Sequence, residues 1–435
     1  MKENLSRYIF IMVAAACLLL VAAGVFNAAV DPYGMFRLYE REGFNVSKPA
    51  IHQRVRLMKA YEVRRLKPQS LVLGTSRVHL GISPRHEGWA ALYDHRYNLA
   101  FDGATTKEMY AYLKHAHAAG RLEHVMLGLD TYHLSAVPGS ARPDFDPGLL
   151  MDEDRGLNIL RSLAADFKLL TSISTFKESL ATLKAQDDSE PVWLAPDGQR
   201  LGEVFFRRPF ENFMTCGPRC YFDEIDKLEV RFKLEWKIPA PPAPRVQSGP
   251  PKEPDPVTSL GYIQKIVDYC RIYNIGLSVF LTPSHAHQLE LDAATGNWWS
   301  IENGKRQIVA LLARDAEKHS GKKPIPLYDF SGYSHITMEK LPPENSKVEM
   351  KYYWDSSHFK EHVGDRVLDH LLGMETEKDE TEGDFGVILR PDNIEAVITQ
   401  LNENQQKYRN NNPQEIETLN TWVDAFKEKN GIMDN

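Results

Sequence analysis

Asp355 and His358 lie three residues apart in YYWDSSHF, residues 352–359. A histidine with a carboxylate in reach is the simplest general base: the acid fixes the ring's tautomer and orientation, and the other ring nitrogen takes a proton. Such a base acts on a weak nucleophile, and Ser76 in LVLGTSRVHL is the serine placed for it, two residues past Gly74 at a strand-to-helix turn. At a helix start the hydroxyl is exposed, and the serine's own N–H is among the amides that have no intrahelical partner. Acyl-transfer chemistry needs both, a nucleophile and a donor for the developing oxyanion. Gly103 in NLAFDGATTKEMY holds the corresponding turn one strand later, where a missing side chain lets the backbone approach a substrate oxygen. Taken singly, each has a plainer reading: Ser76 as an N-cap, Gly103 as a turn glycine. A second pair with the same spacing, Asp130 and His133 in LDTYHL, shows that Asp-x-x-His alone carries little weight.

Order separates the two pairs, and order comes from the elements that carry the residues. Near-continuous apolar runs at Ser70–Gly74, Arg96–Ala100, His124–Leu129, Gly276–Leu281 and Pro324–Phe330 read as strands. Helical spacing covers Thr105–His117, Leu260–Ile272, Asn303–His319 and Phe359–Leu372. Strands of that composition joined through helices imply a parallel sheet buried on both faces, here a doubly wound five-stranded α/β domain. Chemistry in such a sheet gathers at the carboxyl ends of the strands. Ser76 follows the first strand, Gly103 the second, and Asp355 with His358 the last.

Those same residues carry a resemblance. GTSR after the first strand, NLAFDGAT after the second and DSSH before the last helix resemble blocks one, two and five of the SGNH/GDSL hydrolase superfamily, whose sheet is flavodoxin-like. The nearest branch is the membrane-anchored one that includes the alginate O-acetylation proteins and the teichoic-acid D-alanine transfer protein; DPYG at Asp31–Gly34 is similar to that branch as well. The resemblance implies Ser76 as nucleophile, His358 as base, Asp355 as its partner, and the Ser76 and Gly103 amides as the oxyanion hole, with no cofactor. It implies a serine acyltransferase or esterase acting on O-acyl groups, acetyl above all, of an exported polysaccharide, with a multi-spanning membrane O-acyltransferase as partner. Two departures stand out. Thr75 replaces the usual acid of block one. Block three has Asp130 where an asparagine would donate to the oxyanion, which leaves Arg77 or Thr131 as substitutes, or a catalytically silent scaffold that binds polysaccharide or the acyltransferase.

The resemblance covers residues 31–134 and 258–374. Residues 135–257 form an insertion, expected to be helical near Leu149–Leu183 and to end in a proline-dense linker, and 375–435 form a polar tail with helices near Asn393–Arg409 and Glu415–Lys429. Residues 1–30 are read as a single-pass signal anchor: Ile9–Val30 is about 22 residues with Asn27 as its polar member, long enough for a hydrocarbon core of about 30 Å. Lys2 and Arg7 before it favour a cytoplasmic N-terminus, placing the rest on the periplasmic side of the inner membrane. A net charge of −7 without a basic stripe sets nucleic acid aside. An outward-facing domain permits a disulfide between Cys216 and Cys220 in CGPRC. His285 and His287 in TPSHAH fall beyond the fourth strand, His285 as substrate-side support; without a third ligand no metal site is expected. His115 and His117 read as surface residues, and Trp298, Trp299, Tyr353 and Trp354 as core or as a platform for sugar rings.

Overall fold

The computed structural model describes residues 2–89, 94–134, 142, 144–152, 156–186, 194–202, 211–235, 254–374 and 385–432, with backbone alone for 2–4 and 211–216. Along the chain run α1 (Lys2–Val30), α2 (Val55–Leu66), β1 (Ser70–Leu73), α3 (Ser76–Gly81), β2 (Arg96–Asn98), α4 (Thr106–Ala119) and β3 (His124–Leu129). Then come α5 (Ile159–Leu170), α6 (Ile173–Lys184), α7 (Glu211–Glu235), α8 (Ser259–Ile272), β4 (Gly276–Leu281), α9 (Ala286–Ala294) and α10 (Trp298–Lys318). The chain continues through β5 (Leu327–Asp329), α11 (Glu361–Leu372), β6 (Val387–Leu389), α12 (Ile394–Asn411) and α13 (Pro413–Asn430). The described residues divide into two units, 1–67 with 114–121 and 144–195, and 68–113 with 122–143 and 196–435. The segment 135–257 is thus shared between them.

The first unit is built on α1, whose stretch Leu5–Val30 is long and apolar enough to cross a membrane. Its last turns are clamped by the α5–α6 hairpin. Asn27 Nδ2 donates to the Leu170 carbonyl at 2.7 Å, Ser179 Oγ donates to Asn27 Oδ1 at 2.7 Å, and the Phe26 and Phe176 rings lie 5.4 Å apart. Directly after α1, the Asp31 carboxylate accepts the N–H groups of Met35, Phe36 and Arg37 at 2.8, 3.1 and 2.8 Å, which closes the DPYG turn. His115 is not a surface residue. It is fully buried, its Nε2 2.9 Å from the Ala60 carbonyl and its Nδ1 accepting Met151 N–H at 2.8 Å, and burial pushes its pKa down to about 4.

The second unit holds a six-stranded mixed sheet in the order β2-β1-β3-β4-β5-β6. Leu71 of β1 faces Tyr97 of β2 and Val125 of β3, and Val125 faces Leu277 of β4, all in parallel register. The order reverses between β1 and β3, so the loops after these two strands open away from each other and leave a crevice at their carboxyl ends. Leu71, Leu73, Val125, Leu127 and Val279 are fully buried, which explains runs without polar alternation. The sheet departs from the expectation of five parallel strands: β6, from the tail, pairs antiparallel with β5, Leu389 opposite Leu327. The three residues Val387–Leu389 are too few to show a period, and their pairing is a long-range event.

Close backbone approach joins the first and last parts of this unit. A Cβ on Gly364 of α11 would lie 1.7 Å from the Gly81 carbonyl oxygen of α3, and one on Gly81 would lie 2.0 Å from the Phe359 ring. Glycine at both positions lets the helix that begins at Ser76 lie directly against the helix that follows His358. Phe359, Val363 and Val367 share one apolar cluster with Val78 and Ile82, and Tyr353 is buried within it.

Candidate functional site

The loop between Tyr353 and Phe359 is closed by an isolated antiparallel bridge, with Trp354 N–H donating to the His358 carbonyl at 2.8 Å. Inside it, Asp355 Oδ1 accepts the N–H groups of Ser357 and His358 at 2.7 and 2.9 Å, a turn of the kind aspartate favours. The same carboxylate meets His358 Nδ1 at 2.9 Å through Oδ2 and 3.0 Å through Oδ1, and the opposite ring nitrogen, Nε2, lies 2.8 Å from Ser76 Oγ. A carboxylate on Nδ1 requires the proton there, leaving Nε2 as acceptor for the Ser76 hydroxyl. Asp355 is fully buried, while the His358 side chain retains 16 % exposure. Two segments 282 residues apart thus meet in one hydrogen-bonded chain.

That chain opens on a cavity of about 340 Å³ lined by Ser76, His358, Gly103, Tyr132, Arg142 and residues of α7, α9 and α10. Ser76 is the first residue of α3, capped by Thr75, whose hydroxyl accepts Arg77 N–H. Gly103 takes the left-handed conformation, φ +59°, and a Cβ there would lie 1.9 Å from the Arg142 guanidinium, so the turn favours glycine. Thr105 and Glu108 form a reciprocal capping box that fixes the start of α4 beyond that turn, at 2.8 and 3.3 Å. Neither the Ser76 nor the Gly103 N–H makes a hydrogen bond among the described residues.

The position where the resemblance would place an asparagine is occupied by an anion. Asp130 accepts hydroxyls from Thr75 and Thr282, both at 2.6 Å, and pairs with Arg77 Nη1 at 2.9 Å. Burial opposes its charge, yet the Arg77 guanidinium and those hydroxyls outweigh burial and hold its carboxyl below the usual range. Arg77 is bound on all three nitrogens: besides the Nη1 contact to Asp130, Nε donates to the Ser357 carbonyl at 2.9 Å and Nη2 to Ser357 Oγ at 3.3 Å. It ties the histidine loop to the start of α3 and also lines the cavity. Thr131 lines the cavity, with its hydroxyl given to Asp292 at 3.3 Å.

Other expectations fare differently. His285 does not reach the cavity: it is fully buried, Nε2 2.7 Å from the Glu339 carbonyl, and burial pushes its pKa down to about 3. His287 is buried between Asp226 at 2.7 Å and Glu415 at 3.1 Å, and among the described residues no cluster suits a metal. Of the four aromatics read as core or as a sugar platform, none lines the cavity; Tyr353 is core, and Trp298 Nε1 donates to Asn402 at 2.9 Å. Cys220 is disulfide-bonded, and the side chain of Cys216 lies outside the described residues.

Two contributions escaped the sequence. From α7, within the insertion, Ile225, Leu228, Glu229, Phe232 and Lys233 line the cavity, and Glu229 accepts Ser357 Oγ at 2.7 Å. The basic side of the cavity is made by Arg142 and by Arg200, which pairs with Asp102. The proline-dense surroundings of α7 hid it, although DEIDKLEVRF, 223–232, has the charge alternation of a helix with one apolar face. No family model matches the chain, and no curated protein matches it.

Proposed function

We propose that the protein is a serine acyl-transfer enzyme of the SGNH type, anchored by α1 to the outer face of the cytoplasmic membrane and acting on O-acyl groups of an exported polysaccharide. One observation carries the reading: an imidazole 2.8 Å from a serine hydroxyl, backed by a buried carboxylate at 2.9 Å, at the wall of a cavity. The three resembling blocks and the order of the parallel strands, which suits a doubly wound sheet, support it further.

In this reading Ser76 Oγ attacks the acyl carbonyl as its proton passes to His358 Nε2. The Asp355 carboxylate holds the Nδ1 proton and stabilises the imidazolium. The oxyanion rests on the Ser76 and Gly103 amides, with the Arg142 guanidinium beside Gly103 as further positive charge. Collapse expels the leaving alkoxide, which takes the proton from His358 and leaves an acyl ester on Ser76. Water or a sugar hydroxyl, deprotonated by His358, then attacks that ester and releases the serine. The exposed apolar mouth, Leu228 and Phe232, suits a short acyl group or the face of a sugar. A multi-spanning O-acyltransferase as donor belongs to the same reading, by resemblance.

The test is turnover of a nitrophenyl acetate by the full-length protein in detergent, beside Ser76→Ala, together with labelling by a fluorophosphonate. Turnover and labelling that vanish in Ser76→Ala support the enzyme. Equal turnover in both proteins, with no labelling, supports the silent scaffold, a reading favoured by the anionic Asp130 that stands in place of a donor.

A further inference from the structure

Helices α5 and α6 are amphipathic in the inverted sense. Their buried positions are hydroxyl residues, Ser162, Thr175, Ser179 and Thr182, while Leu160, Leu163 and Phe167 of α5 and Ile173, Phe176 and Leu180 of α6 are exposed, Leu160 by 80 % and Ile173 by 76 %. The exposed sets recur at helical spacing, so each helix presents one continuous apolar stripe. A helix that hides its hydroxyls and offers its leucines to water loses hydrophobic stabilisation on both counts unless something apolar covers it. Most of the buried polar face is employed: Tyr61 of α2 bonds to Asp166 and to Ser162, Thr175 bonds to Ser172, and Ser179 bonds to Asn27.

We propose that this hairpin lies in the interfacial layer of the bilayer that α1 crosses, its apolar stripe among the acyl chains. The proposal rests on the reading of α1 as a membrane anchor. Continuity argues for lipid as the occupant. The hairpin is clamped to the last turns of α1 through Asn27 and Phe26, at the point where an apolar helix emerges into a headgroup region, and Val25 beside them is 65 % exposed. Charge agrees. Lys168, Lys177 and Lys184 are exposed on the hairpin and form no ion pair among the described residues, whereas Arg161 pairs with Asp146. Lysines flanking an apolar stripe extend to anionic headgroups. A hairpin held this way would fix the rotation and tilt of the first unit against the membrane, which a single helix with a flexible exit would leave free.

Site-directed spin labelling of the full-length protein in vesicles of phosphatidylcholine with one-third phosphatidylglycerol tests it. Native Cys17, in α1, reports the anchor. In a Cys17→Ser background, labels at Leu163→Cys and Phe167→Cys report the hairpin, and Lys429→Cys, exposed in α13, serves as reference. Cys270 does not interfere, because burial pushes its thiol up to about 12. The ratio of relaxation by oxygen to relaxation by a water-soluble nickel chelate is expected several-fold higher at 163 and 167 than at 429. A nickel-accessible 163 and 167 beside an oxygen-accessible Cys17 overturns the hairpin while the anchor stands. A nickel-accessible Cys17 removes the anchor and the hairpin with it. Labels shielded from both reagents mean a protein surface covers the stripe, which also overturns the proposal.

Discussion

Two loops of this protein carry an aspartate and a histidine three residues apart beyond the carboxyl end of a strand, and they do opposite things with them. In 355–358 the carboxylate grips the imidazole, and the ring's far nitrogen meets a hydroxyl at a cavity. In 130–133 the side chains turn away from each other: the Asp130 carboxylate serves Thr75, Thr282 and Arg77, and His133 Nδ1 accepts the Asp130 N–H at 3.0 Å while Nε2 meets the Ala104 carbonyl at 3.0 Å. Spacing supplies reach, and backbone shape decides direction. The bridge at Tyr353 and Phe359 folds the first loop so that its carboxylate satisfies two amides and still faces the ring. The second pair sits in a single helical turn, Thr131–Leu134, where the ring closes the turn's own amide. One histidine is left with an acceptor to use; the other has both nitrogens committed.

The largest expected effect breaks the comparison outright. His358→Gln should lower turnover of an activated acyl ester by about 10⁴-fold or more, as removing the base of such a chain does elsewhere, while leaving the thermal midpoint nearly unchanged, because the ring is partly exposed. Asp355→Asn should cost about 10⁴-fold in kcat, because an amide favours the wrong tautomer of the ring without displacing it. Gly103→Ala comes next, at roughly 10²–10³-fold, the usual result of losing one oxyanion donor. Its Cβ meets Arg142 and its φ is left-handed, so the N–H must turn. Retained turnover in all three would remove the 355–358 loop from any chemistry and leave it the structural equal of 130–133.

Much of this was legible in advance because it is local. β3 and β4 stand at the residues their apolar runs indicate, His124–Leu129 and Gly276–Leu281, and the α4 start is written in the Thr105–Glu108 box. The order of Ser76, Gly103 and the Asp355–His358 pair along the sheet was legible too, since parallel strands put every such turn at one edge. What was not legible depends on partners far away in sequence. No pattern near Val387–Leu389 announces a strand, because its partner β5 lies some 60 residues earlier. The roles of α7 in walling the cavity and of Arg77 in tying Ser357 to Asp130 arise only after folding. His285 and His287, two residues apart in TPSHAH, go to different fates for the same reason: one is kept neutral by burial, the other charged by two carboxylates from the insertion and the tail.

His287 sharpens the comparison as a third kind of histidine, neither a base at a cavity nor a neutral cap. Burial would lower its pKa, but Asp226 and Glu415 outweigh burial and raise it to about 9. Its folded value exceeds the unfolded 6.5, so the stabilisation is complete below about pH 6.5 and is lost as pH rises through about 9. A shift of that size corresponds to something on the order of 3 kcal/mol. Because Asp226 lies on α7 and Glu415 on α13, the loss should loosen the insertion and the tail first. Thermal unfolding between pH 6 and 10 should show a midpoint that falls on the alkaline side in the native protein and stays flatter in His287→Gln, which starts lower. Parallel curves would mean that the imidazole carries no charge at neutral pH.

The smallest effect is the reciprocal one. His133 is 1 % exposed and is not among the residues that line the Ser76 cavity, and burial pushes its pKa down, the Asp130 charge notwithstanding. A neutral ring with one donating and one accepting nitrogen matches what surrounds it: an N–H that needs an acceptor and a carbonyl that needs a donor. His133→Gln keeps one group of each kind on a differently shaped side chain, so it should satisfy at most one of the two partners. Leaving the other buried and unpaired costs about 1–3 kcal/mol, read as a lower unfolding midpoint, with ester turnover within a few-fold of the native protein. The two substitutions then cross: Gln at 358 removes turnover and spares stability, and Gln at 133 does the reverse. If both instead lowered turnover to the same extent, the 130–133 turn would be steering the site through Asp130, Thr75 and the start of α3, and the difference between the loops would be one of degree.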